Sequence, residues 1–190
     1  MGWTDGLTWL NPPAKAGESG GVLRVLTGDG RDFWRRTFYG FVHDDGHALL
    51  AATTGAFTAE VTFEGDYQAQ YDQAGLMLRV DEGTWIKAGV EFVNGTAWLA
   101  VVVTLGRSDW SQLALPTGTG AVGLRMTRVG DAVWVQYRLA DASWQMARLA
   151  HLPVDLPAQI GPMCCSPSRA GFAVSFRDFR LGPPVADRPY

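Results

Sequence analysis

A chain of 190 residues with 47% hydrophobic and 18% charged side chains has enough apolar matter for one continuous core, which excludes a disordered chain. A net charge of −3, with Lys and Arg scattered, leaves no stripe to neutralise phosphates, so neither nucleic acid nor an anionic membrane surface is expected as a partner. The longest apolar run, 97–105, has strand length and falls short of the ~20 residues of a membrane helix.

Along the chain, the first thirteen residues carry Asp5 and no apolar stretch, so no secretory signal is expected. Gly at position 6 breaks the myristoylation pattern that would begin at Gly2. From there almost every segment alternates with period two. Strands are expected at 22–27, 39–43, 47–52, 57–63, 74–80, 85–93, 96–104, 121–128, 132–139, 145–149, 160–165 and 172–181. Between them stand turn-forming runs: Asp44-Asp45-Gly46, Asp81-Glu82-Gly83, Asn94-Gly95, Gly130-Asp131 and Asp141-Ala142-Ser143. Short strands at regular spacing without crossover helices point to an all-β, antiparallel two-sheet sandwich. It is expected as a single domain over 1–190, with its core at about 9–182 and loose ends near Pro12-Pro13 and Pro183-Pro184.

Turn type fixes register in the middle of the chain. Asp81-Glu82-Gly83 reads as a three-residue hairpin loop with a left-handed glycine, which sets Val80 opposite Thr84. Arg79 then meets Trp85, Met77 meets Lys87, Gly75 meets Gly89 and Gln73 meets Glu91. Asn94-Gly95 is the type I′ signal and pairs Val93 with Thr96, hence Glu91 with Trp98, Lys87 with Val102 and Trp85 with Thr104. Leu76, Leu78, Ile86, Ala88, Val90, Phe92, Leu99, Val101 and Val103 fall on one apolar face. Gln73, Met77, Arg79, Trp85, Lys87, Glu91, Trp98 and Thr104 fall on the other.

That mixed face has two readings. One is a solvated outer sheet with ordinary cross-strand partners. The other is a groove in which rings stack on a sugar while Gln73, Arg79, Lys87 and Glu91 take its hydroxyls. Gly75 and Gly89, facing each other, would leave room for a ligand to approach the backbone. The segments 31–36 and 108–111 read as loops, with Trp34, Asp109 and Trp110 at the groove rim or, equally, as packing and turn residues. Glycoside hydrolysis needs a second carboxylate near Glu91, and Glu60, Asp66 and Asp72 cannot be located relative to it. No catalytic residue is assigned.

His43-Asp44-Asp45-Gly46-His47 has ligand-type side chains, but a hairpin with an Asp-Asp-Gly turn produces the same spacing without a metal, and neither a metal nor another cofactor is expected. Cys164 and Cys165 are adjacent, and a bond between neighbours would close almost no loop. Two buried reduced thiols in a cytoplasmic protein are expected, the alternative being a strained vicinal disulfide or redox pair.

Asp32-Phe33-Trp34, Tyr39-Gly40-Phe41, Tyr71-Asp72-Gln73-Ala74-Gly75-Leu76, Trp85-Ile86-Lys87-x-Gly89-x-Glu91 and Ser108-Asp109-Trp110-Ser111 occur in an order that resembles the concanavalin A-like family of unknown function named after a regulation-of-enolase protein. The resemblance covers roughly residues 9–182 and implies a jelly-roll sandwich of the lectin and glucanase type, whose better-known relatives bind carbohydrate on a concave sheet. It implies no enzymatic activity. The expectation is a module that binds a carbohydrate or sugar-like ligand without catalysis through Trp34, Gln73, Arg79, Trp85, Lys87, Glu91, Trp98, Asp109 and Trp110. The alternatives are a protein-interaction module, which would meet a protein partner through the same face or an exposed edge, and a glycoside hydrolase.

Overall fold

The alternation of apolar and polar side chains is realised as antiparallel sheet in a computed structural model that describes residues 2–3, 5–140, 142–153, 156–186 and 188. Strands are numbered in chain order. The first sheet runs β1 (Leu7–Leu10), β6 (His47–Thr53), β15 (Ala158–Cys165), β8 (Gln73–Asp81), β9 (Thr84–Val93), β10 (Thr96–Leu105) and β11 (Ser108–Ala114). The second runs β14 (Gln145–His151), β13 (Ala132–Leu139), β12 (Val122–Val129), β7 (Phe57–Gly65), β16 (Ala173–Gly182), β3 (Val22–Leu26) and β2 (Lys15–Ser19). A separate two-stranded hairpin pairs β4 (Phe33–Arg35) with β5 (Val42–Asp44). No helix occurs among the described residues.

The two large sheets share one apolar core. Leu76, Leu78, Ile86, Ala88, Val90, Leu99, Val101 and Val103 from the first meet Phe57, Ala59, Val61, Phe63, Leu124, Met126 and Phe176 from the second. The expected register holds from Gln73↔Glu91 to Arg79↔Trp85 and from Val93↔Thr96 to Trp85↔Thr104. Asn94 and Gly95 both have positive φ, 51° and 79°, as a type I′ turn requires.

The preceding turn differs from expectation. Asp81 pairs with Thr84, the register shifts between Arg79 and Asp81, and Val80 is bulged rather than opposite Thr84. Gly83 has no positive φ; the Asp81 carboxylate accepts its N–H at 2.8 Å and closes the turn instead. Asp44-Asp45-Gly46 is not a hairpin turn either, since β5 pairs with β4 while β6 pairs with β1 and β15. The segment carries the chain from the small hairpin into the first sheet. The expected strand at 39–43 shrinks to β5, because 36–41 forms a tight turn with positive φ at Arg36, Phe38 and Gly40. The segments 31–36 and 108–111, read as loops, hold β4 and the start of edge strand β11. Strands β1 and β2 were hidden, one by its length and the other by its solvent-exposed Lys-Ala-Gly-Glu-Ser sequence. Of the turn expected at Asp141-Ala142-Ser143, Asp141 lies outside the described residues.

The glycines at positions 75 and 89 do not open a gap for a ligand. A Cβ at Gly75 would strike the carbonyl oxygen of Ala88, and one at Gly89 that of Ala74. They permit close approach of β8 and β9 backbones. The void left beside Gly89 is about 10 Å³, no larger than one water.

Candidate functional site

The outer face of the first sheet is covered at its centre. Phe33 and Trp34 of β4 pack with Ala48, Leu50, Met77, Trp85, Val102, Met163 and Cys165, forming a second apolar cluster on the side away from the sandwich core. Polar ties also pin the cover to the sheet. Lys87 Nζ meets Asp32 Oδ1 at 3.1 Å. The Arg79 guanidinium grips both carboxylate oxygens of Asp44 at 2.6 and 2.8 Å. The Arg35 N–H donates to Ser108 Oγ at 2.9 Å.

Between cover and sheet a cavity of about 240 Å³ remains. Trp34, Tyr39, Phe41, Tyr71 and Trp110 supply rings, while Asp32, Gln73, Lys87 and Glu91 supply polar groups; His43, Val102 and Pro167 complete the lining. Trp34 stands edge-on to both Tyr39 (5.7 Å) and Trp110 (6.4 Å), an arrangement aromatic quadrupoles favour. The hydroxyls of Tyr39 and Tyr71 lie 3.5 Å apart.

The charges inside nearly cancel. Burial pulls the Lys87 pKa down, but Asp32, with Glu91 and Cys165 adding to it, outweighs burial, so Lys87, 3% exposed, remains an ammonium. Glu91, 6% exposed, is driven up to about 7 by burial, with Lys87 opposing and Asp32 adding to the rise. Hydrogen-bonding contact from the Trp110 indole and the Gln112 amide favours its charged form. Among the described residues, however, Glu91 Oε2, Trp110 Nε1 and Gln112 Nε2 close no hydrogen bond of full geometry, and all three atoms are shut off from solvent. The two donors therefore approach the Glu91 carboxyl as loose contacts within the cavity wall rather than as groups open to the cavity.

Five of the residues singled out from the sequence line the cavity: Trp34, Gln73, Lys87, Glu91 and Trp110. Four do not. Arg79 is spent on Asp44. Trp85 is buried under the cover against Phe33, its indole N–H donating to Glu82 O at 3.3 Å. Trp98 is opposite Glu91 on the same face but is not part of the lining. The Asp109 carboxylate points outward to Arg148, 3.1 Å away. Nor is Trp34 an exposed ring, being 9% exposed with its N–H bonded to Thr37 O. Sequence reasoning missed Asp32, Tyr39, Phe41, His43 and Tyr71 as lining residues. For all but His43 the signal was present in the segments 32–34, 39–41 and 71–76, which supplied a resemblance but no geometry.

The remaining ligand-type groups have protein partners. The Gly28 N–H donates to His47 Nε2 at 3.0 Å, so Nδ1 carries the proton and donates to Asn11 O; burial lowers the His47 pKa. Asp45 accepts the Asp32 N–H. Asp72 is fully buried and accepts from Arg169, Ser166 Oγ and the N–H groups of Gln68 and Ala69. Burial would raise its pKa, but Arg169 and the two N–H groups outweigh it and hold it low. Glu60 lies in the second sheet with Arg125, and Asp66 accepts from the Gln68 amide. Cys164 points into the sandwich core and Cys165 into the outer cluster, as successive strand residues must; both are free thiols that burial pushes up.

The sequence pattern of the family described as Protein of unknown function (DUF1349) matches residues 9–184. Regulation of enolase protein 1 of Saccharomyces cerevisiae is 40% identical over 178 residues, covering 94% of this chain and 90% of that protein. A solved structure of a functionally unknown protein from Saccharomyces cerevisiae superposes with a TM-score of 0.93 at 39% identity, covering 98% of this chain and 100% of the other. A GH43 protein from Bacillus licheniformis superposes with a TM-score of 0.74 over 94% of this chain and 37% of its own. At 14% identity that likeness is one of fold.

Proposed function

We propose, on the premise that the chain belongs to the DUF1349 family of unknown function, that the cavity under the β4–β5 hairpin binds one carbohydrate ring or similar neutral polyhydroxylated ring without catalysis. The observation that carries this reading is the cavity lining itself, in which the rings of Trp34, Tyr39, Phe41, Tyr71 and Trp110 meet the polar groups of Asp32, Gln73, Lys87 and Glu91. A sugar ring offers C–H faces to the aromatic walls and hydroxyls to the polar groups. The ammonium of Lys87 and the carboxylate of Asp32 neutralise each other, so the floor selects no ionic ligand. The volume of about 240 Å³ is below the ~300 Å³ at which drug-sized pockets begin, which suits a single ring. A cleft with converging polar groups also favours a sugar over a protein partner.

The test is a thermal-shift screen of mono- and disaccharides, sugar alcohols and sugar phosphates against wild type and Glu91→Ala. A ligand at 100 times its Kd adds about 2.7 kcal/mol to stability. A neutral sugar that stabilises wild type but not the folded variant is expected. Silence across the neutral sugars, or stabilisation of both proteins alike, would overturn the reading.

One observation favours glycoside hydrolysis as a second reading: Asp32 lines the same cavity as a Glu91 carboxyl held at about 7, the range of a general acid. Release of nitrophenol from nitrophenyl glycosides by wild type and not by Glu91→Gln would establish it.

A further inference from the structure

The turn joining β4 to β5 spends free energy on a side chain that the fold does not use. Phe38 is 93% exposed, and both it and Arg36 sit at positive φ, 60° and 64°, where a non-glycine residue is strained. The strain is held in place by short backbone bonds, Arg36 N–H to Phe41 O and Gly40 N–H to Arg36 O, each 2.8 Å, and by the Trp34 indole bonded to Thr37 O. Phe38 meets the ring of Tyr39 edge-on at 5.1 Å, and Tyr39 stacks on Phe41 at 5.3 Å with planes 17° apart. Tyr39 and Phe41 are both half-exposed and both walls of the cavity. The exposed rings are thus continuous with the cavity mouth.

We propose that Phe38, Tyr39 and Phe41 form a second binding position, which takes the sugar ring next to the one seated in the cavity. The inference rests on the cavity reading above and names its ligand class: an oligosaccharide bound end-on, its terminal ring on the Asp32, Lys87 and Glu91 floor. The cavity holds one ring, so the linkage must emerge at the mouth, where Phe38, 93% exposed and backed by Tyr39, can stack on the next residue's C–H face.

Isothermal titration of matched pairs tests it: glucose with cellobiose, xylose with xylobiose, galactose with lactose and mannose with mannobiose, against wild type, Phe38→Ala and Phe38→Trp. For one pair, the disaccharide is expected to bind wild type about five- to tenfold more tightly than its monosaccharide. Phe38→Ala should erase that advantage with monosaccharide affinity unchanged, and Phe38→Trp should restore it. Equal affinities for both members in wild type, or an advantage that survives in Phe38→Ala, would overturn the second position while leaving the cavity reading intact. No binding by any sugar would overturn the cavity reading and this inference with it.

Discussion

The carboxyl of Glu91 shares its cavity with Lys87 and Asp32, and burial raises it from an ordinary 4.5 to about 7. The native state therefore keeps this proton over a range in which the unfolded chain has lost it. Stability contributed by the group is complete below about 4.5 and is lost as pH rises through about 7, by about 3 kcal/mol in all. Gln has nothing to lose in that window. Glu91→Gln should raise the urea midpoint above wild type at pH 8 and leave it almost unchanged at pH 4.5. An equal offset at both pH values would show that the carboxyl does not titrate as its burial requires.

At the scale of the element, the β4–β5 hairpin turns an open sheet face into a cavity. Its strands have three residues each and bring no long ladder of their own; apolar contact through Phe33 and Trp34 and the ties to Lys87, Arg79 and Ser108 hold it down. Lys87→Met leaves Asp32 as a largely buried carboxylate without its cation, which costs about 3–5 kcal/mol when a buried pair is broken on one side. Asp32→Asn together with Lys87→Met should recover part of that loss, measured as the coupling in a double-mutant cycle of urea unfolding. Additive effects would mean that the ion pair does not fasten the hairpin. None of this was legible in the sequence. Asp32 and Lys87 are 55 residues apart, and a three-residue strand carries no period to read. The face bearing Trp85 and Met77 looked solvated or groove-like because nothing marked Phe33 as its lid, and Arg79 looked free because Asp44 was assigned to a turn.

For the whole molecule the position is reversed. Strands β9 and β10 were placed residue by residue from the Asn94-Gly95 turn, and β8 met β9 in the expected register up to Arg79 although the Asp81-Glu82-Gly83 turn has another geometry, because period-two alternation propagates any fixed register along a hairpin. The sandwich followed from the same alternation, and the order of aromatic and acidic segments pointed to the family that matches residues 9–184. What alternation does not carry is the distance between strands. The glycines of β8 and β9 were read as room for a ligand, whereas they sit where the two backbones crowd each other. Gly89→Ala drives a methyl into the Ala74 carbonyl and should destabilise the fold by about 1–3 kcal/mol in urea unfolding, as overpacking does. A neutral effect would mean that the strands separate without cost and that the crowding is not a constraint.

The central claim is that a neutral sugar ring occupies the cavity between the β4–β5 hairpin and the first sheet. The most direct measurement is the indole N–H spectrum of 15N-labelled protein titrated with the sugar that stabilises it in the thermal screen. The Trp110 indole, at the cavity wall, should shift with ligand, while the Trp85 indole, bonded to Glu82 O, and that of Trp98, outside the cavity, should stay in place. A titration that leaves Trp110 unmoved, or moves Trp98 instead, would place the ligand elsewhere and contradict the account.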